Sequence, residues 1–180
     1  MLPFDPADLS YSPFSAECAT ASFSCGQDTV DRWFKEKASG HHARHRCRVT
    51  TVHAPDDQTP VAFYALAVVA ERLTDRWALI DTFMPNSGHY FPSLRLEWIA
   101  VRSDLQDCGL GTIVMGRVLS VLTELVALTG IPAITLKPID VPTEMFYEKL
   151  EFVKFGAAAL GPRMLLPASK VIDAGAIAVH

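Results

Sequence analysis

The segment from Leu94 to Val126 constrains the fold more than any other part of the chain. It begins as an apolar strand, passes through the turn at residues 106–111 (Gln-Asp-Cys-Gly-Leu-Gly), and continues as a long helical pattern from about Thr112. Glycines let the backbone approach a ligand closely, and the first amides of a helix lack intrahelical acceptors. With the positive end of the helix dipole, these features favour an anion, typically a phosphate.

The spacing of the two glycines excludes the commonest phosphate-binding loops. No Lys-Ser or Lys-Thr pair follows Gly111, as a P-loop requires, and a dinucleotide-binding turn would need a third glycine. The remaining pattern is Gln-x-x-Gly-x-Gly after a strand. On these residues alone, an ordinary strand-to-helix turn is an alternative explanation.

Length and composition indicate one globular domain. The chain has 180 residues, 49% of them hydrophobic, and a formal net charge of -4, which suits a single domain over residues 1–180, with 1–20 as a lead-in and 169–180 as a tail. No apolar run approaches the roughly 18 residues of a membrane span, and the start lacks a signal-peptide pattern. We therefore expect a cytoplasmic protein that does not enter a membrane. The four cysteines have no paired metal-ligand spacing, so we expect neither a metal site nor disulfides.

The order of the predicted elements indicates a mixed α/β fold. An edge strand lies near residues 11–14 and a helix begins at Asp28 or Thr29 and stops at Gly40. There follow a hairpin of strands 49–53 and 61–69, the helix 112–129, a strand 131–139, a short helix 144–150, and strands 152–155 and 163–166. Residues 71–93 are weakly patterned, with an irregular helix at 77–83 and a loop at 86–88. We expect a mixed central sheet with helices on both faces.

Several separated motifs and this order of elements resemble one family across nearly the whole chain. The Gln-x-x-Gly-x-Gly turn after a strand resembles the acetyl-coenzyme A signature of the GNAT superfamily of N-acetyltransferases. Three further segments are similar to the acetyltransferase toxins of type II toxin-antitoxin modules: Phe23–Gly26 with Val30–Phe34, Ala62–Leu66, and Met145–Lys149 with Phe152 and Arg163–Pro167. The resemblance implies the GNAT fold, with a splayed central strand pair, and acetyl-CoA as cofactor.

The resemblance implies an enzyme that transfers acetyl directly from acetyl-CoA to the α-amine of aminoacyl-tRNA. An α-amine titrates at about 7.7 to 8.0, against about 10.4 for lysine, so it is substantially neutral near pH 7 and does not require a strong base. Two alternatives remain: a GNAT enzyme acting on a small-molecule, protein or peptide amine, and a non-catalytic CoA-binding module. The toxin branch further implies a homodimer and a ribbon-helix-helix antitoxin as partners.

The resemblance also assigns the cofactor contacts. The backbone of Ile99, Ala100 and Val101 is expected to contact the pantetheine arm. The pyrophosphate is expected at the residues of the turn and the helix start, namely Gln106, Asp107, Cys108, Gly109, Leu110, Gly111 and Thr112. The family usually has a glycine and a basic residue where this chain has Asp107 and Cys108, which makes the charge less favourable for a pyrophosphate. It also usually has a Gly-Arg pair at Glu97-Trp98 and a glycine at Glu151.

Two residues are candidates for proton transfer. Tyr147 occupies the position of the family's catalytic tyrosine, whose phenol protonates the leaving thiolate; core packing of a Phe-Tyr pair is the alternative. Glu97 is a carboxylate on the otherwise apolar central strand and is a candidate base. An ion pair with Arg95 or Arg102 would explain it equally well.

The segment from Arg32 to Arg48, here called the basic segment, is the candidate RNA-binding surface. Its cations Arg32, Lys35, Lys37, Arg44, Arg46 and Arg48 oppose Glu36 alone, so its net charge is +5 and the rest of the chain carries -9. In the resembled toxins this surface contacts tRNA phosphates, and such contacts are independent of sequence. A solvated helix face is the alternative. His41 and His45 have the i, i+4 spacing of metal ligands but no third ligand, so we predict no metal there.

Overall fold

The computed structural model describes residues 2–15, 17–72, 90–155, 161 and 163–177. The strands are β1 (Ser10–Pro13), β2 (Arg48–His53), β3 (Ala62–Arg72), β4 (Tyr90–Val101), β5 (Ala133–Leu136), β6 (Val153–Phe155) and β7 (Arg163–Pro167). The helices are α1 (Asp28–Glu36), α2 (Ala38–Ala43), α3 (Leu110–Thr129), α4 (Val141–Lys149) and α5 (Ala168–Ile177). The strands form one mixed sheet in the order β1-β2-β3-β4-β5-β7-β6, which confirms the predicted fold class.

The chain packs into two compact units. The first unit contains residues 1–67 and 97–118, and the second contains residues 68–96 and 119–180. Strands β3 and β4 and helix α3 each contribute residues to both units. The single domain expected over residues 1–180 remains a prediction.

The first unit is built on an aromatic core between α1 and the β2–β3 hairpin. The spacing of Val30, Trp33 and Phe34 puts all three on the buried face of α1. Phe34 stacks on Phe63 of β3 with ring centroids 3.9 Å apart, and Phe23 meets Phe34 edge to face. The hairpin is antiparallel, as predicted, and β1 pairs with β2 at its other edge.

Gly40 does not end the first helix, contrary to the sequence prediction. The helical path breaks at Lys37 and resumes as α2, which contains Gly40. Burial of Ala38 stabilises this second helix, whereas a helical glycine costs only about 1 kcal/mol. The helix ends instead after Ala43, where the left-handed backbone of His45 (φ 54°) lets the amide of Arg46 donate to the carbonyl of His41.

The second unit contains the parallel pair at the centre of the fold. β4 pairs with β5 from Leu94 opposite Ile134 to Leu96 opposite Leu136, where β5 ends while β4 continues to Val101. The pairing of the two parallel strands therefore ends at Leu96, and the splayed pair remains a prediction. β5 is shorter than the predicted strand 131–139 because Pro132 and Pro138, which lack an amide hydrogen, flank it. β7 then pairs antiparallel with both β5 and β6.

Helix α3 begins at Leu110, two residues before the predicted start. Its predicted core positions Val114, Val118 and Leu122 are buried, as are Leu110 and Met115. With a mean hydropathy of 1.6 it is long and apolar enough to cross a bilayer, a property that buried helices of globular proteins share. The tail forms α5. The helix predicted at 77–83 and the loop at 86–88 lie outside the described residues.

Candidate active site

The turn between β4 and α3 presents backbone amides at the start of the helix. After a 3-10 turn at Ser103–Leu105, Asp107 and Gly109 take left-handed conformations with φ of 57° and 85°. The amides of Thr112 and Ile113 donate to the carbonyl of Gly109 at 3.1 and 3.2 Å. Within the described part of the chain, the amides of Leu110 and Gly111 have no acceptor. Residues 106–112, here called the cradle, therefore offer donors to an anion.

The side chain of Gln106 braces the cradle rather than projecting from it. Its Nε2 donates to the carbonyl of Val101, at the end of β4, and to that of Cys25, both at 2.9 Å. Both amide hydrogens of Gln106 are thus used inside the protein. The side-chain amide of Gln106 is therefore not free to donate to a pyrophosphate. Only the backbone of Gln106 can still make the predicted contact.

The two cradle glycines differ: the backbone conformation requires a glycine at position 109, whereas the packing of the protein does not require one at position 111. A Cβ at Gly109 would meet no atom within 4 Å, but φ of 85° disfavours any residue with a side chain. At Gly111 a Cβ would lie 3.9 Å from Cγ2 of Val101, which is ordinary contact. The packing of the protein does not require Gly111, which suits a position that a ligand approaches closely.

The end of β4 is anchored next to the cradle. Ala100 is buried in the aromatic core, whereas Ile99 and Val101 are half-buried. The amide of Arg102 donates to the carbonyl of Val61 at 2.9 Å. The predicted pantetheine-contacting strand thus ends at a fixed point just before the turn.

Glu97 is exposed on β4, and the two arginines proposed as its partners hold other carboxylates. Arg95 lies 2.6 Å from Glu71, and Arg102 lies 2.7 Å from both Asp57 and Asp104. Burial raises the pKa of the nearby Cys47 thiol, and the charge of Glu97 adds to that rise. Glu97 therefore acts electrostatically on this part of the first unit, and its role as a base remains a prediction.

Tyr147 lies on the buried face of α4, in the second unit. Asp140 caps this helix: its Oδ1 accepts from the amide of Thr143 at 2.8 Å. The Tyr147 side chain is only 3% exposed and packs between Phe146 and Phe152, at centroid distances of 5.3 and 5.5 Å. Burial, and secondarily the charge of Asp140, raise the pKa of Tyr147 above its usual value. The phenol keeps its proton at neutral pH, as a general acid must.

The cations of the basic segment all point to solvent. Arg32, Lys35, Lys37, Arg44, Arg46 and Arg48 are exposed on α1, on the turn after α2 and at the start of β2. His42 joins α2 to β2, because its Nδ1 accepts from the amide of Val49 at 3.2 Å. His41 packs edge-on against Trp33. Among the described residues, no three His, Cys, Asp or Glu side chains are grouped as metal ligands.

Sequence reasoning missed two carboxylates that organise the two units. Asp31 accepts hydrogen bonds from the Ser24 hydroxyl at 2.7 Å and the Cys25 amide at 2.8 Å. Glu71 is 1% exposed and meets Arg95 and Arg163. The signal for Asp31 was its place three residues into a helix that follows the Phe-x-Cys-Gly turn. Glu71 was hidden because it stands where the apolar pattern of β3 gives way to an unpatterned stretch.

Comparison with known proteins shows a shared fold. No family model and no curated protein sequence matches the chain. A tyrosine-to-phenylalanine mutant of KacT matches over 92% of this chain and 98% of its own, with a TM-score of 0.82 and 16% identity. AtaT complexed with acetyl-methionyl-tRNAfMet has a TM-score of 0.81 and AtaTR bound with AcCoA one of 0.79, each with 15% identity over 92% of this chain and 98% and 97% of the matched chains. Both relatives are toxin acetyltransferases of type II toxin-antitoxin modules.

Proposed function

We propose that this chain, which has the GNAT fold of those toxin acetyltransferases, is an acetyl-CoA-dependent N-acetyltransferase that acts on the α-amine of aminoacyl-tRNA. The observation that carries the proposal is the cradle, in which the donor amides of Leu110 and Gly111 follow the left-handed residues Asp107 and Gly109. AtaTR, which shares this fold, is known bound with AcCoA. The donor set fits a pyrophosphate, because backbone amides at a helix start recognise phosphate oxygens.

The geometry of the first unit supports an assignment of the cofactor contacts. We assign the pyrophosphate to the amides of Leu110 and Gly111, with Asp107, Cys108, Gly109 and Thr112 around them and Gln106 as the brace. The backbone of Ile99, Ala100 and Val101 is assigned to the pantetheine arm. Bound acetyl-CoA would supply an activated thioester. The exposed carboxylate of Asp107 is the one charge in the cradle that opposes an anion.

Tyr147 is assigned as the general acid. Its hydroxyl has no hydrogen-bond partner in the described part of the chain, and its pKa is raised by burial and by Asp140. The raised pKa keeps the proton on the phenol but makes it a weaker acid, so the assignment rests on the unpaired hydroxyl and on the tyrosine position that the resemblance gives. Since an α-amine is largely neutral near pH 7, Glu97 is assigned only an auxiliary role as base.

The acceptor class rests on the basic segment and on the relative that binds tRNA. Six exposed cations on a chain with a net charge of -4 make a local positive surface, and AtaT is known complexed with acetyl-methionyl-tRNAfMet. A cytoplasmic homodimer with a small antitoxin completes the proposal. The antitoxin is supported by the structure of AtaT bound to the C-terminus of the antitoxin AtaR, and the identity of the adjacent reading frame would test it. Light scattering of the purified protein would test the homodimer.

The first test is acetyl transfer to charged tRNA. We expect the purified protein to acetylate aminoacyl-tRNA with acetyl-CoA, and we expect Tyr147→Phe to lower the rate about 10²- to 10⁴-fold while CoA affinity is retained. Tyr90→Phe, at an exposed tyrosine of the same unit, is the matched control. Acetylation of small amines or peptides with charged tRNA left unmodified would replace the tRNA substrate by such an amine. No CoA binding by calorimetry would contradict acetyl transfer.

The second test concerns the basic segment. Arg44→Glu and Arg46→Glu are each expected to weaken tRNA binding across tRNA species and to lower the slope of log K against log salt by about 1, because each phosphate contact releases about one counterion. Lys170→Glu makes the same charge change on α5 and should leave the slope unchanged. Equal effects of all three variants would mean that the overall charge, rather than this surface, governs binding.

A further inference from the structure

We propose that Asp31 is a positioning residue for the cradle. Its carboxylate on α1 fixes the turn at Ser24–Gly26, here called the linking turn, and the linking turn in turn holds the segment that leads into the cradle. This inference rests on the proposed function, since the cradle is taken to bind acetyl-CoA. It assigns a cofactor-binding effect to a residue that has no place in the cradle itself.

Asp31 holds the linking turn with both carboxylate oxygens. Oδ2 accepts from the Ser24 hydroxyl at 2.7 Å, and Oδ1 accepts from the Cys25 amide at 2.8 Å. The Gly26 amide donates to the Ser24 hydroxyl oxygen at 3.3 Å, and Gly26 has φ of 80°. Burial acts to raise the pKa of Asp31, but the hydrogen bonds from Ser24 and Cys25 outweigh it and lower the pKa below its usual range. The carboxylate is therefore charged at neutral pH.

The linking turn holds the cradle through two carbonyls. That of Ser24 accepts from the amide of Ser103 at 2.9 Å, and that of Cys25 accepts from Nε2 of Gln106 at 2.9 Å. These two contacts fix both ends of the segment 103–106, immediately before the left-handed Asp107. The conformation of the linking turn thus determines where the cradle begins.

The peptide group between Ser24 and Cys25 connects Asp31 to the segment before the cradle. The carbonyl of Ser24 and the amide of Cys25 belong to the same planar peptide unit. Asp31 holds this unit at its N–H, and Ser103 holds it at its C=O. Loss of the Asp31 acceptor frees the plane to rotate, and rotation moves the acceptor of Ser103. A charged acceptor on the N–H also strengthens the hydrogen bond on the opposite side of the unit.

A purely structural role for Asp31 makes a different prediction. If Asp31 only stabilises the start of α1, its loss should lower the melting temperature and leave CoA affinity unchanged in protein that is still folded. If it positions the cradle, CoA affinity should fall in folded protein. The KM for acetyl-CoA should then rise more than kcat falls, the opposite of the pattern expected for Tyr147→Phe.

The experiment is calorimetric titration with coenzyme A, at a temperature where each variant is folded. We expect Asp31→Ala to weaken binding about tenfold, in line with the loss of a charge-assisted hydrogen bond. Asp31→Asn, which keeps an acceptor for the Cys25 amide, should restore most of the affinity. Asp28→Ala, at an exposed residue in the same helical turn, is the control and should bind as the wild type does.

A second variant keeps the inference testable where Asp31→Ala does not fold. Gln106→Leu removes the hydrogen bond from the cradle to the linking turn while Asp31 keeps its contacts, and it should weaken coenzyme A binding in folded protein. Where Asp31→Ala folds, the double variant Asp31→Ala with Gln106→Leu should lose less affinity than the sum of the two single losses. Wild-type affinity in Asp31→Ala or in Gln106→Leu, or fully additive losses in the double variant, would overturn the inference and leave the proposed function intact. A wild-type protein that does not bind coenzyme A would overturn both.

Discussion

Two of the residues by which this chain departs from the resembled family have left-handed backbones. Asp107 (φ 57°) and Glu151 (φ 65°) both stand where that family usually has glycine. Aspartate enters this region more readily than most residues, because its short side chain can hydrogen-bond locally. Glutamate has no such advantage. The sequence identifies both positions as unusual, and the backbone shows why glycine is the usual choice.

Glu151→Gly should raise thermal stability. Removing the side chain relieves the left-handed strain, and the ion pair of Glu151 with Lys170, 2.7 Å long, joins two exposed groups and contributes little. We expect an increase in Tm of about 2–4 °C by calorimetry, the shift that corresponds to about 1 kcal/mol in a chain of this size. Glu151→Gln keeps the side chain and removes only the charge. An equal increase in Glu151→Gln would place the cause in the charge rather than in the backbone.

At the scale of elements, strands β3, β4, β5 and β7 of the second unit are joined by one buried carboxylate. Glu71 Oε1 accepts from Arg95 at 2.6 and 3.0 Å and from the Thr135 hydroxyl at 3.1 Å, and its Oε2 accepts from Arg163 at 2.7 Å. Arg163 also lies over the ring of Phe155, at 5.0 Å. Two arginines and one threonine on three other strands thus share one carboxylate of β3 as their partner.

Glu71→Gln should strongly destabilise the protein. The change removes the charge of the buried carboxylate that both Arg95 and Arg163 contact, and breaking a buried pair in this way costs about 3–5 kcal/mol. Urea unfolding followed by circular dichroism measures the loss. Glu148→Gln, in an exposed pair with Lys154, is the matched control and should change the midpoint little. A loss no larger than that of the control would mean that water or other groups satisfy both arginines.

Patterning predicted the existence of elements better than their ends. The α1 face, the β2–β3 hairpin and the strand-turn-helix segment were predictable because their apolar residues recur with the period of a helix (3.6 residues) or a strand (2.0 residues). The end of α2 depended on a left-handed His45, and the start of α4 depended on the cap by Asp140, which lies four residues before the predicted start of that helix. In the site, the cradle was readable from its glycines. The role of Gln106 was not, because the Cys25 carbonyl that it contacts lies 81 residues away in the chain. The role of Asp31 was not, because its contacts depend on how the turn at Ser24–Gly26 folds back onto α1.

At the scale of the whole molecule, several carboxylates favour the folded state only while charged. Hydrogen bonds from Arg102 lower the pKa of Asp57 and Asp104, and hydrogen bonds from Thr143 lower that of Asp140. For Asp31, hydrogen bonds outweigh the opposing effect of burial. These carboxylates bind protons less readily in the folded than in the unfolded protein. Their contribution to the free energy of unfolding is therefore complete above the unfolded pKa of about 3.9, and it is lost as the pH falls through their lower pKa values in the folded protein.

Stability should therefore decrease as the pH is lowered below about 4. Urea midpoints measured between pH 2 and 7 are expected to be level near neutrality and to fall in the acid range. Arg102→Met removes the partner of two of the carboxylates, so its curve should start lower and fall less steeply. An acid limb with the same slope in this variant would assign the pH dependence to other groups.

The division of the chain into two units has a consequence for synthesis on the ribosome. The first unit needs residues 97–118 as well as 1–67, so it stays incomplete until residue 118 has emerged, although translation has by then delivered the intervening 68–96. At ~5–20 residues/s the N-terminal strands wait seconds for the turn that completes them. Tyr147, the proposed acid, emerges later still. A nascent chain attached to its ribosome, surrounded by charged tRNA, thus carries an unfinished cradle for most of its elongation.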